Sequence, residues 1–259
     1  MGACDPGDSM NGGAMKNVLA LPKVVFVTGT DTDVGKTITT AALAAVFAQV
    51  GSVAIYKPVQ TGVEAGEAGD TAEVARLAGV QNTFEGARYS APMAPVAAAE
   101  KENRELPSLA SHVRNVVELS QRFDRVLVEG SGGLLVELDG AGGTLADLAA
   151  GFALAAGNGT ASESGVVLVA RAGLGTLNHA ALTIEALQTR GLDLVGVVLG
   201  SVPAIPNVVE RSNQEVFAAS RNKLLAQVPA GVAKMQAKAF CEAAGLWFEP
   251  EAVWSTPRS

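Results

Sequence analysis

The most chemically pointed stretch of the 259-residue chain is Gly29-Thr30-Asp31-Thr32-Asp33-Val34-Gly35-Lys36-Thr37. It follows an apolar run, Lys23–Thr28, and opens an Ala-rich run, Thr37–Val50, so the pattern predicts a strand, a tight turn and a helix. The first turn of a helix carries unbonded N–H groups and the positive end of the helix dipole, which together suit phosphate oxygens. Gly35 lets the backbone approach an anion closely, Lys36 can neutralise phosphate charge, and Thr37 can offer its hydroxyl to Mg2+. The spacing departs from the usual phosphate loop: five residues separate Gly29 from Gly35 where four are usual, so Thr30 stands in the place of the first glycine. The competing reading is a glycine-containing strand-to-helix turn with a surface lysine.

Two more charged residues stand at the ends of apolar runs, and a third opens a helix after the loop Glu64–Gly69. Lys57 follows Ser52–Tyr56, at the carboxyl end of a predicted strand, which is where open α/β sheets bind ligands. A cation there can stabilise a transferring phosphoryl group, or it can be a solvated strand-end lysine. Thr61 can bond a substrate or support its own turn. Asp70 opens a short predicted helix, Asp70–Leu77, as an N-cap or as a ligand. Glu129 ends the run Arg125–Val128 and precedes Gly130-Ser131-Gly132-Gly133, whose amides can approach an anion. Thr37, Asp70 and Glu129 make a sensible Mg2+ set, because Mg2+ takes few protein ligands and fills the rest with phosphate and water. His112 and His179 are the only histidines. His112 is read as solvated on a surface helix and His179 as a structural hydrogen-bonder, and nothing assembles a Ser/His/Asp triad.

The elements that must hold these residues are short apolar runs alternating with helical patterns. Beyond those named, Leu106–Arg122, Thr144–Leu154, Thr176–Thr189 and Val208–Ala219 read as helices, and Gly165–Ala170, Leu192–Leu199 and Leu224–Val228 as strands. Strands apolar on both faces and separated by helices predict one α/β domain, a mostly parallel sheet covered on both sides, of the phosphate-loop NTPase type. The domain is expected to span 23–259, after a flexible lead at 1–22, with a polar loop at 157–165. Hydrophobic residues make up 48% and charged residues 17%, which excludes a disordered chain. A net charge of −7 argues against a nucleic-acid partner. Two cysteines, Cys4 and Cys241, give no disulfide framework or metal cluster. The absence of a long apolar run or a secretory leader points to a cytoplasmic protein with no membrane partner.

The segments GTDTDVGKT (29–37), YKPVQTG (56–62), GDTAEVARL (69–77), APMAPVAAA (91–99), LVEGSGGLLVEL (127–138) and GLGTLNHAALT (173–183), in this order, resemble the dethiobiotin synthetases. The resemblance runs from about Val24 to Gly231 and beyond. It implies an ATP- and Mg2+-dependent enzyme that closes a ureido ring on 7,8-diaminononanoate with CO2. It implies that Asp33, Val34, Gly35, Lys36, Thr37 and Ile38 wrap the nucleotide phosphates, that Thr37, Asp70 and Glu129 hold Mg2+, and that Lys36 and Lys57 stabilise the reacting anions. Thr32 and Thr61 would contact the substrate, and Gly130, Ser131 and Gly132 would border the diamine and phosphates. Gly200, Ser201, Pro229, Ala230 and Gly231 match the base-contacting loops. Many members carry Asn at the place of Gly200, so the resemblance leaves other nucleoside triphosphates open. Gly175, Thr176, Leu177 and Asn178 would receive the substrate carboxylate across a homodimer interface; from the residues alone Asn178 reads as a helix cap.

Two other readings compete. An amidotransferase-related ATPase needs a glutamine-hydrolysing domain with a Cys nucleophile, for which the chain offers no candidate. A phosphate-loop ATPase switch of the partition type usually carries a second lysine inside the loop, where this chain has Asp31 and Asp33. A membrane-bound switch also favours a basic amphipathic tail, and Gly245–Ser259 is not basic.

Overall fold

The computed structural model describes residues 18, 20–156, 163–220 and 223–249. Seven strands, β1 (Val24–Gly29), β2 (Val53–Gln60), β3 (Asn82–Arg88), β4 (Arg125–Gly133), β5 (Ser164–Arg171), β6 (Leu194–Val202) and β7 (Leu224–Pro229), form one sheet in the order β3-β2-β4-β1-β5-β6-β7. Every pairing is parallel. The helices are α1 (Lys36–Phe47), α2 (Asp70–Ala78), α3 (Pro95–Lys101), α4 (Leu109–Arg122), α5 (Leu145–Ala155), α6 (Thr176–Thr189), α7 (Val208–Ala219) and α8 (Ala237–Ala244). The α/β sheet expected from the sequence is therefore the fold.

Alternation along the central strand sorts the core. Val25 and Val27 of β1 face α1, α2 and α8, while Val24 and Phe26 face α4 and α5. A smaller cluster packs Ala180 and Ile184 of α6 and Phe217 of α7 on β5 and β6. Ten of the twelve residues of α1 are buried. Its alanines let it sit close to the sheet, as a helix without a polar face must. Val18 and Leu21, inside the segment set aside as a lead, are buried in this same core, so the packed chain begins before residue 23. Residues 1–17 and most of the 157–165 loop lie outside the described residues.

The neighbouring β1 and β4 bring the loop after β1 and the carboxyl-terminal part of β4, Glu129–Gly133, to one end of the sheet. β2 pairs with β4 only through Tyr56, then continues to Gln60 against β3 alone. Pro58 lacks an N–H and sits where the ladder to β4 has already stopped. The divergence opens the crevice, and it places Lys57 inside a longer strand than Ser52–Tyr56. β3 was not foreseen: NTFEGAR has no apolar run, and its residues are half-buried at the sheet edge. α3 and α8 were not foreseen either.

Candidate active site

The phosphate loop forms as the sequence expects. Gly35 takes φ +102°, with α1 starting at Lys36. Lys36 is not a surface residue: it is buried, and its Nζ donates to the Asp31 carbonyl at 2.8 Å. Burial and then the nearby charge of Lys57 hold the Lys36 ammonium below the usual lysine range. Asp31 also pairs with Arg171 at the end of β5, which ties the loop to the neighbouring strand.

Lys57 is likewise no solvated strand-end residue. It is buried, with Nζ 2.7 Å from Asp70 Oδ2, 3.2 Å from Glu129 Oε1 and 2.9 Å from the Gly130 carbonyl. Burial disfavours its charge, but the Glu129 and Asp70 carboxylates outweigh burial and raise it above the usual lysine range. Lys57 is thus an ammonium at neutral pH. Thr37 Oγ1 donates to the same Glu129 Oε1 at 2.8 Å. Thr37, Asp70 and Glu129, from three separate elements, therefore meet around Lys57. Glu129 Oε2 is buried and has no hydrogen-bond partner among the described residues. A buried carboxylate oxygen left without a donor fits a cation, and a hydroxyl plus two carboxylates is a hard oxygen set of the kind Mg2+ takes. Asp70 is not the N-cap of α2; Gly69 is.

These residues line one cavity of about 670 Å3. Its wall includes Thr32, Asp33, Gly35, Lys36, Thr37, Ile38, Lys57, Thr61, Asp70, Glu129, Ser131, Gly132 and Ser201, all singled out from the sequence. Val34 lies buried behind the loop, and Gly130 turns its carbonyl to Lys57. The Ser131 hydroxyl is spent on the Val59 carbonyl at 2.7 Å. The cavity also has walls that sequence reasoning gave no role: Gln60 at the end of β2 with Gly62 and Val63 after it, Pro92–Pro95, and Val136. The stretch APMAPVAAA was the only signal for the second of these.

Gly200 presses against the phosphate loop rather than lining the cavity. A Cβ there would collide with the Val34 carbonyl oxygen, so no side chain fits on this backbone. Pro229 ends β7, with Ala230 and Gly231 after it; Val202 pairs with Pro229, and Ala230 N–H donates to the Val202 carbonyl at 2.8 Å. Gly175, Thr176, Leu177 and Asn178 lie outside this cavity's wall. Gly175, at φ +88°, is the N-cap of α6 and Asn178 is exposed, so Asn178 is not the cap. Asn213 of α7 holds the preceding turn by donating to the Ala172 and Gly173 carbonyls at 2.8 and 3.0 Å.

His112 is the clearest departure from the sequence reading. It is fully buried, and its Nδ1 lies 2.6 Å from the Tyr56 hydroxyl. The buried stripe of α4 is His112, Val116 and Leu119, which turns the histidine onto β2.

Comparison with known proteins accords with this geometry. The family described as AAA domain matches residues 23–233. The ATP-dependent dethiobiotin synthetase BioD of Rhodococcus jostii is 46% identical over 90% of this chain and 97% of its own length. The enzymes of the same name from Rhodococcus erythropolis and Mycobacterium marinum are 47% and 45% identical, over 85% and 89% of this chain and 94% and 97% of theirs. Identity at this level across nearly the whole of each relative, with the nucleotide loop and the paired lysine and carboxylates in place, makes this chain a member of the ATP-dependent dethiobiotin synthetase family.

Proposed function

We propose that the chain joins CO2 to the two amines of 7,8-diaminononanoate at the expense of ATP, giving dethiobiotin, ADP and phosphate. The observation that carries this reading is the pair of buried lysines, Lys36 and Lys57, lining one cavity together with the Asp70 and Glu129 carboxylates. One substrate amine adds to CO2 and loses a proton, giving a carbamate. A carbamate oxygen attacks the γ-phosphorus and ADP leaves, giving a carbamic–phosphoric anhydride. The second amine attacks the carbonyl carbon, the C–O bond to phosphate breaks, and the ring closes with loss of a proton. Carbamate and triphosphate are both anions, so the barrier falls chiefly through positive charge already fixed at the meeting point. Lys36 and Lys57 supply it. Holding both amines near one carbon makes the last step intramolecular.

Thr37, Asp70 and Glu129 would hold Mg2+; when bound, the metal shields phosphate charge. Thr32 and Thr61 offer hydroxyls to the diamine. The loops 200–201 and 229–231 take the nucleotide base. A homodimer is part of this reading: Leu174, Leu177 and Leu182 at α6 and Ile205, Val208 and Val209 at α7 are exposed, an apolar surface a second copy would cover. The α6 N-terminus, Gly175–Asn178, would then meet the carboxylate of the partner's substrate. We place the enzyme in the cytoplasm; no helix among the described residues is long and apolar enough to cross a membrane.

The anhydride has an atomic signature. With 18O-labelled bicarbonate as the carbon source, one labelled oxygen is expected in each released phosphate. Released phosphate without label would contradict the anhydride.

A further inference from the structure

The first N–H groups of a helix need acceptors, and an N-cap side chain usually provides one. α2 starts at Asp70, but its N-cap is Gly69, which has no side chain. The acceptor comes from ten residues upstream: Asp70 N–H donates to Gln60 Oε1 at 2.8 Å. Gln60 ends β2, is 3% exposed, and spends its other amide atom locally, with Nε2 donating to the Thr61 carbonyl at 3.1 Å. The same turn is gripped from β3. Arg88 donates to the Glu64 and Glu67 carbonyls at 3.2 and 2.8 Å and pairs with Glu85, which accepts from Thr71 Oγ1 at 3.0 Å. The loop between Thr61 and Gly69 is thus closed by side chains at its base, directly beneath Asp70.

Gly69 itself has an ordinary extended backbone, φ −95° and ψ −169°, so nothing about its dihedrals demands glycine. What demands it is space: a Cβ at this position would lie 2.7 Å from Gln60 Oε1 and 3.0 Å from Arg88 Nη2. Gly69 and Gln60 therefore form one lock, in which the missing Cβ admits the amide that caps the helix.

We propose that Gln60 is a positioning residue for the metal site: by capping α2 from the sheet, it holds the Asp70 carboxylate toward Glu129 and Lys57. The proposal rests on the reading of Asp70 as a metal ligand. Partners that orient metal ligands typically contribute 10–100-fold to metal affinity.

The test titrates the full-length protein with Mn2+ in the presence of ADP, following free Mn2+ by electron paramagnetic resonance. Gln60→Leu removes the acceptor and Gly69→Ala pushes the amide away, so the two variants reach the same lock independently. Each is expected to weaken Mn2+ binding about 10–100-fold, while ADP affinity measured in EDTA stays within about twofold of wild type. Gln60→Glu keeps the acceptor oxygen and is expected to retain most of the Mn2+ affinity. Turnover of Gln60→Leu should recover as Mg2+ is raised, which general loosening of the fold would not give. Wild-type Mn2+ affinity in both Gln60→Leu and Gly69→Ala would overturn the proposal, as would an equal loss of ADP affinity in EDTA. If Asp70→Asn also leaves Mn2+ affinity unchanged, the metal reading falls and the proposal falls with it. If Asp70→Asn weakens Mn2+ but the lock variants do not, only the proposal fails.

Discussion

Lys57 is buried between two carboxylates, and its charge is set by them. Removing it leaves Asp70 and Glu129 facing each other without their cation, so Lys57→Ala carries two costs. Turnover should fall by 10²–10³-fold or more, the scale for loss of one fixed electrostatic group. Stability should also drop, by as much as about 3 kcal/mol since one partner of a buried pair is lost, and Mg2+ should restore part of it. Steady-state kinetics and melting curves with and without Mg2+ check both, and wild-type turnover in the variant would remove Lys57 from the mechanism. At this scale the sequence was informative wherever a residue's role follows from its place on the chain. Lys36 and Thr37 open α1, and Lys57 and Glu129 directly follow the apolar runs of β2 and β4, which the sequence reveals. Gln60 and His112 act through partners 10 and 56 residues away, and no local pattern encodes such contacts.

At the scale of elements, β2 packs Val53 and Ile55 against α1 and α2 on one face and Tyr56 toward α4 on the other, and the cavity opens at its carboxyl end. Tyr56 and His112 join β2 to α4, with Asn115 Nδ2 donating to the Tyr56 hydroxyl at 3.0 Å. Burial keeps His112 neutral and lowers its pKa to about 4, against a weaker opposing pull from Asp139. A histidine whose folded pKa lies below its unfolded value of about 6.5 favours folding fully above 6.5. That contribution is lost as pH falls from about 6.5 to about 4, amounting to about 3 kcal/mol. The melting temperature should therefore fall through this window, and His112→Gln should flatten the slope; an unchanged slope in the variant would assign it to other groups. The carboxyl ends of β6 and β7 carry a second prediction. Gly200 leaves no side chain to read the base at that place, so ATP and CTP should differ in kcat/KM by less than about 100-fold, well short of the 10⁴–10⁵ of a site built on base-specific hydrogen bonds. A competition assay with the two nucleotides decides it, and a larger preference would locate a base-reading side chain elsewhere. The strongly apolar strands were legible in the sequence because burial on both faces leaves an unbroken run. β3 was not, because an edge strand keeps half its surface in contact with water and with loops, and its composition is mixed.

For the whole molecule, a parallel sheet covered by helices follows from alternating apolar runs and helical patterns, but the strand order and the apolar surface proposed to meet a second copy do not. Exposed leucines on α6 become conspicuous only once the other face of that helix is seen to pack on β5 and β6. Leu177→Glu with Leu182→Glu should shift the protein to monomer in analytical ultracentrifugation and raise KM for the diamine while leaving ADP binding intact; a dimer that survives both changes would place the interface on another surface. The central claim, ring closure on a diamine driven by two fixed cations and a nucleoside triphosphate, is tested most directly by mass spectrometry of the products. The protein is incubated with Mg-ATP, bicarbonate and 7,8-diaminononanoate, and each is omitted in turn. The ureido product and phosphate should form in equal amounts, and only when all components are present. Steady phosphate release without the diamine, and no ureido product with it, would contradict the account and favour an ATPase switch.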